Sequence, residues 1–133
     1  MKAGKSTLWI FFGFPVAVTL VAMTGARFSG FGQKAKVGTT KEQLREIVKA
    51  LDVYDRDCQK RPTTEQSLSA LVAAPVAEPR CANWKGPYLQ VVPSDGWGEA
   101  FVYDSDGALY SLKSFGRDHE AGGDGFSRDI ESE

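Results

Sequence analysis

Apolar and polar positions fall into three regimes along the chain. From Ser6 to Ala26 no side chain is charged, and the run reads Leu8-Trp9-Ile10-Phe11-Phe12 and on through Val16, Val18, Leu20, Val21 and Met23. A bilayer-spanning helix needs about 20 mostly apolar residues, and this run has that length. The expectation is a membrane anchor over residues 1–27. A cleaved signal peptide is the alternative, with Ala22-Met23-Thr24 or Thr24-Gly25-Ala26 as weak cleavage sites, and a buried core helix is a third reading. Lys2 and Lys5 flank one end of the run and Arg27, Lys34 and Lys36 the other, so the positive-inside rule sets no orientation.

The second regime is helical. Gly25, Gly30, Gly32 and Gly38 predict a joint over residues 28–39. Thr39 with Glu42, and Thr40 with Gln43, each fit a capping box, so a new helix is expected to start there. Leu44, Ile47, Val48 and Leu51 recur at helical spacing and Tyr54 extends the stripe. Asp55 to Pro62 reads as a polar loop. Thr63 with Gln66 then opens a shorter helix with Leu68, Leu71 and Val72 on its inner face, closed by Pro75 and Pro79.

The third regime is short strands and turns. Tyr88–Val92, Phe101–Tyr103 and Leu109–Leu112 are the expected strands, and Asp95-Gly96 and Asp106-Gly107 the expected turns. Asp104 and Asp106 are metal ligands by type, but their spacing suits the hairpin turn. The tail from Gly116 to Glu133 is rich in glycine and aspartate. The pattern therefore gives an α+β chain: an anchor helix, an amphipathic helix, a short helix, a small three-stranded antiparallel sheet and a C-terminal loop. The head is expected to occupy residues 40–133.

Composition narrows the function classes. A chain of 133 residues holds one domain at most. Its formal charge of −1 hides no basic stripe, so no nucleic-acid partner is expected. The single histidine, His119, leaves little material for a catalytic relay or a zinc cluster, and nothing sets a nucleophile beside a base. The chain is not expected to be an enzyme. Cys58 and Cys81 both lie in stretches that read as loops. Joined, they require an oxidising compartment such as the periplasm and contribute about 3 kcal/mol through loop entropy. Two unpaired thiols in a cytosolic domain are the alternative.

Three blocks carry a resemblance to a known family. The first is Leu51-Asp52-Val53-Tyr54, followed by Pro62-Thr63-Thr64-Glu65-Gln66, Leu68 and Leu71. The second is Asn83-Trp84-Lys85-Gly86-Pro87-Tyr88-Leu89 with Pro93, Asp95, Trp97 and Gly98. The third is Ser114-Phe115-Gly116-Arg117-Asp118, then Gly122-Gly123-Asp124-Gly125 and Asp129-Ile130. Together they resemble the major pseudopilins of type II secretion systems, from about Leu44 to the end of the chain, with Trp84-x-Gly86-Pro87 and Trp97-Gly98 the most specific part.

The resemblance implies a type IV pilin-like fold and a structural role. Such a subunit is a single-pass protein of the inner membrane of a Gram-negative bacterium, with its head in the periplasm. It would pack with copies of itself and other pseudopilins, and with inner-membrane secretion components, into a short filament that drives export. A non-polymerising membrane-tethered binding module with the same head is the competing expectation. In the major pseudopilins the C-terminal loop binds calcium, which takes about six to eight oxygen ligands. Carried over, Asp118, Asp124 and Asp129 supply carboxylates, Ser127 a hydroxyl, and Phe115 and Gly123 backbone carbonyls. A solvated acidic loop without metal is the alternative. This chain departs from the family at His119, which stands where glycine is usual. It departs again at Gly125 and Phe126, where polar or acidic ligands are common. In the first block, Cys58, Gln59 and Arg61 replace residues that are usually Asn, Gly and an aromatic.

The amino terminus departs most. Counting back without gaps from Tyr54 places Gly4 at the prepilin cleavage glycine, so processing would fall between Gly4 and Lys5. Trp9 then stands where the family has a glutamate that serves assembly, and Pro15 is expected to kink the span.

Overall fold

The computed structural model describes residues 21–132. Most of the expected anchor, and both residues of the expected processing point, Gly4 and Lys5, lie outside them. Among the described residues no helix is long and apolar enough to cross a membrane. The head is one compact unit, Gly32–Glu133.

Helix α1 runs from Val21 to Cys58 without a break. The joint expected over 28–39 is therefore helical, and the helix start expected at Thr39 or Thr40 is not a start. The reason is tertiary. Glycine costs about 1 kcal/mol relative to alanine inside a helix, and Gly30, Gly32 and Gly38 all lie inside α1. The segment is held by a loop instead. Thr40, fully buried, donates its hydroxyl to the Lys36 carbonyl at 2.8 Å and accepts the Gly96 amide at 2.9 Å. A Cβ on Gly96 would sit 2.2 Å from the Lys36 oxygen, so only glycine lets this loop lie on the helix. Trp97 Nε1 donates to Gln33 Oε1 at 3.0 Å one turn further along.

The apolar stripe of α1 does what its spacing predicts. Leu44, Ile47, Leu51 and Tyr54 are buried and meet Leu68, Ala70, Leu71, Leu89, Phe101 and Leu112 in one core. Each such side chain contributes roughly 1.5–3 kcal/mol on burial. The short helix is a 3₁₀ turn, Leu68–Leu71. It starts later than expected, with Ser67 as its N-cap, and the Thr63–Gln66 pair instead closes the turn just before it. Thr63 N donates to Gln66 Oε1 at 3.0 Å, and Gln66 N donates to Thr63 Oγ1 at 3.3 Å. The Gln66 amide then donates to the carbonyls of Ala77 and Pro79, both at 2.9 Å, which orders the proline-rich stretch that follows.

The sheet has three antiparallel strands, β1 Val102–Ser105, β2 Tyr110–Ser114 and β3 Ile130–Glu131, in that spatial order. The hairpin at Asp106-Gly107 joins β1 to β2 in the register Ser105↔Tyr110 through Val102↔Lys113. The third strand was expected at Tyr88–Val92 and comes from the tail instead. The Tyr88 and Leu89 amides both reach the Leu71 carbonyl, at 2.7 and 3.1 Å, so this stretch closes the end of the 3₁₀ turn and not the sheet edge. Lys113↔Glu131 and Ser114↔Ile130 complete the sheet.

Candidate functional site

Cys58, the last residue of α1, is joined to Cys81 in a disulfide. The bond ties the helix end to the loop that carries Trp84. Trp84 Nε1 donates to the Ala70 carbonyl at 2.9 Å, and its ring fills the space beside Gly86, where a Cβ would lie 2.4 Å from a ring carbon. Tyr88 stands edge-on to both Trp84 and Tyr54, donates its hydroxyl to Asp57 at 2.9 Å and accepts the Lys85 amide at 3.0 Å. Burial raises the Tyr54 and Tyr88 phenols above the ordinary tyrosine value, which keeps the Tyr88 hydroxyl a neutral donor to Asp57.

Arg61 makes a second clamp that composition alone could not signal. Its amide and guanidinium donate to the Gly107 and Ala108 carbonyls, at 2.9 and 3.0 Å. Its other terminal nitrogen lies 3.5 Å from Asp55 and 3.8 Å from Asp52, and its plane covers the Tyr110 ring at 5.1 Å. One side chain thus pins the β1–β2 turn to the end of α1. Asp95 is a third fixed point. Its buried carboxylate accepts the Trp97 and Glu99 amides at 2.9 Å and the Ser114 hydroxyl.

The C-terminal loop carries the residues expected to hold calcium. Asp118 ends a 3₁₀ turn, Gly116–Asp118, and accepts the Glu120 amide at 3.3 Å. His119 follows with φ at +61°, the left-handed region that glycine enters at no cost. Asp124 precedes a second 3₁₀ turn, Gly125–Ser127, and its carbonyl accepts the Ser127 amide at 3.0 Å. Asp129 closes the loop. Its backbone amide donates to the Gly122 carbonyl at 3.1 Å, one carboxylate oxygen accepts the Gly122 amide at 2.9 Å, and the other lies 3.6 Å from Lys113 Nζ. Lys113 also stands over the Phe115 ring at 5.5 Å.

The donor chemistry of the residues expected to hold an ion suits a hard cation, since each of them offers oxygen. The packing is also of the right kind. A Cβ on Gly123 would be 2.4 Å from the Ser127 carbonyl oxygen, and one on Gly116 would be within 2.9 Å of the Phe126 and Arg128 carbonyl oxygens. These glycines let carbonyls crowd into the loop. The acidic side chains do not themselves converge: among the described residues no three of Asp, Glu, His or Cys come together as a metal cluster. Asp129 is occupied by the Gly122 amide and Lys113. Of the residues expected to hold an ion, those left are Phe115 and Gly123 with their carbonyls, Ser127 with its hydroxyl, and Asp118 and Asp124 with exposed carboxylates.

Comparison with known proteins agrees with this architecture. The family model for type II secretion system protein G matches residues 27–133. The type II secretion system core protein G of Pseudomonas aeruginosa is 38% identical over 100 residues, covering 73% of this chain and 70% of that protein. The core protein G of Escherichia coli K12 is 32% identical over 124 residues, covering 91% and 86%. Among solved structures, the major pseudopilin of the type 2 secretion system of enterohaemorrhagic Escherichia coli superposes with a TM-score of 0.67. It is 30% identical and covers 77% of this chain and 86% of that one. With its long helix, disulfide-tied head and three-stranded antiparallel sheet, the chain belongs to the protein G family of type II secretion systems and is a structural pseudopilin subunit.

Proposed function

We propose that this subunit is anchored in the inner membrane by residues 1–27, holds its head in the periplasm, and packs with copies of itself and other pseudopilins into a secretion filament. The observation that carries the reading is the pairing of a charge-free stretch, Ser6–Ala26, with a head that contains the Cys58–Cys81 disulfide. The first suits a bilayer; the second suits an oxidising compartment. The proposal assigns the chain no bond chemistry. Its work is packing, and inner-membrane secretion components are its other partners.

We also propose calcium as the ion that orders the C-terminal loop. Asp118, Asp124, Ser127 and the carbonyls of Phe115 and Gly123 would hold it, with Asp129 bracing the loop from its own side. Bound there, the ion would neutralise the loop's carboxylates and fix its carbonyls.

Fractionation tests the first reading. The protein is expected in the inner-membrane fraction with both thiols oxidised, and a soluble protein with reduced thiols would sink it. Mass spectrometry of that fraction also reads the amino terminus: a chain starting at Lys5 reports processing, and an intact Met1 reports a permanent anchor. Calcium is tested by melting the purified protein in chelator and in millimolar Ca²⁺. A rise in Tm that Asp118→Ala abolishes is expected, and an unchanged Tm removes the ion from the proposal.

A further inference from the structure

Charge is segregated along this nearly neutral chain. Residues 1–50 carry eight Lys or Arg against two Asp or Glu, and residues 91–133 carry ten Asp or Glu against three Lys or Arg. Two surfaces of the head express that difference.

The first is a groove of about 200 Å³ between α1 and the end of β3. Leu44 and Val48 form its apolar floor, Lys41, Arg45 and Lys49, one turn apart on the helix, stand along one side, and Glu131 with Ser132 forms the β3 side, so cations outnumber the one carboxylate three to one. All three cations are exposed, and none belongs to an ion pair among the described residues. The second is the tip of the β1–β2 hairpin. Leu109 projects there with 77% of its surface exposed, between the exposed carboxylates of Asp104 and Asp106. The tip is rigid. Asp106 accepts the Ala108 and Leu109 amides, both at 2.8 Å, and Arg61 holds the turn from behind.

From this we infer that the hairpin tip of one copy docks in the α1–β3 groove of the next, with Leu109 on the Leu44–Val48 floor and Asp104 and Asp106 facing Lys41, Arg45 and Lys49. The inference rests on the filament reading and names the contact within it. The shape of the head favours a second copy over any other occupant. The groove meets β3, which pairs with the Ser114 end of β2, while the tip sits at the Tyr110 end. Five strand residues put the two about 16 Å apart. Complementary patches at different heights on one molecule make a head-to-tail contact, which continues from copy to copy as an open filament unless its rotation closes a ring, where a self-complementary patch would stop at a dimer. Opposite charge also speeds and orients the encounter.

The test uses the full-length protein in membranes of cells that make the rest of the secretion system. Ala108→Cys at the tip and Ser132→Cys at the groove are introduced together, and oxidation is expected to give a ladder of intermolecular species. Lys41→Glu, Arg45→Glu and Lys49→Glu in the same chain should weaken the ladder at least about tenfold. Adding Asp104→Lys, which faces the new glutamates with an ammonium while Leu109 and the Asp106 turn stay intact, should bring part of it back. Retention of the Cys58–Cys81 bond in every variant confirms that the head is folded. If formaldehyde traps homo-oligomers of the wild type but the cysteine pair gives no ladder, or gives one that charge reversal leaves unchanged, the contact is wrong and the filament stands. If formaldehyde traps no homo-oligomers, the filament reading fails and this contact fails with it.

Discussion

The two halves of the head are held together by different physics. On the α1 side, Leu44, Ile47, Leu51 and Tyr54 lose nearly all their surface to one shared core. In the loop from Gly116 to Asp129 no side chain is fully buried, and the fold rests on amide–carbonyl bonds, crowded glycines and the Lys113–Asp129 pair. The helix side should therefore fail globally when it is cut, because its residues share neighbours. The loop should fail locally, because each of its contacts spans a few residues.

The largest expected effect breaks the first half. Leu51 is fully buried, and Leu51→Ala leaves a cavity in the centre of the core. Unfolding in urea should show a loss of about 2–5 kcal/mol, read equally by tryptophan fluorescence and far-ultraviolet circular dichroism. Divergence between the two probes would mean that the helix and the rest of the head do not unfold as one. Next comes the tie between the helix and its neighbouring loop. Replacing Cys58 and Cys81 with serine frees a segment with a sequence separation of 23 residues. The loss should be about 3 kcal/mol by the loop-entropy relation. A loss under about 1 kcal/mol would mean that Gln66, Trp84 and Tyr88 already order that segment in the reduced chain.

The loop gives smaller, more confined effects. Gly123 has φ of +78°, and its Cβ would run into the Ser127 carbonyl. Gly123→Ala should cost about 1–3 kcal/mol of local strain. Hydrogen exchange is expected to accelerate at the Ser127 and Asp129 amides and to stay unchanged at Leu51. Acceleration at Leu51 would erase the distinction between the two halves. Lys113→Met removes the ammonium beside Asp129. The pair is partly exposed, so solvent screening limits the loss to about 1 kcal/mol or less, and only the β2–β3 end of the sheet should loosen.

What could be read from the sequence follows the same division. The stripe Leu44–Tyr54, the Thr63–Gln66 pair of hydrogen bonds and the Asp106-Gly107 turn are local patterns, each decided within a few residues, and each forms, though the short helix itself begins later, at Leu68 behind Ser67. The errors lie where distant residues override local ones. Four glycines and two capping boxes argued for a break before Thr40. The 95–98 loop, more than fifty residues away, keeps the helix intact through Gly96, Thr40 and Trp97. Tyr88–Val92 has the alternation of a strand, yet its amides are claimed by Leu71, and β3 forms from two residues with no pattern of their own. The loop's wealth of glycine and aspartate was visible in composition. That Asp129 would be spent on Gly122 and Lys113 was not, because Lys113 is placed by strand pairing.

The smallest effect is a titration, and it concerns the hairpin tip that the loop lacks a counterpart to. Amide donation from Leu109, and then from Ala108, holds the Asp106 carboxyl below the ordinary carboxylate value. The sign of the linkage follows. A carboxylate depressed on folding stabilises the turn at any pH above its unfolded value, about 3.9, and that stabilisation fades as the pH falls through the lower folded value. Between those two values the Asp106 carboxylate stays charged and the turn stays ordered. The Ala108 and Leu109 amide shifts should therefore titrate below the ordinary aspartate range. Asp106→Asn, which keeps an acceptor oxygen, should keep the turn and lose the titration. Amide shifts that follow an ordinary aspartate curve would mean that the Asx turn is not what fixes the tip, and the rigidity assigned to it would rest on Arg61 alone.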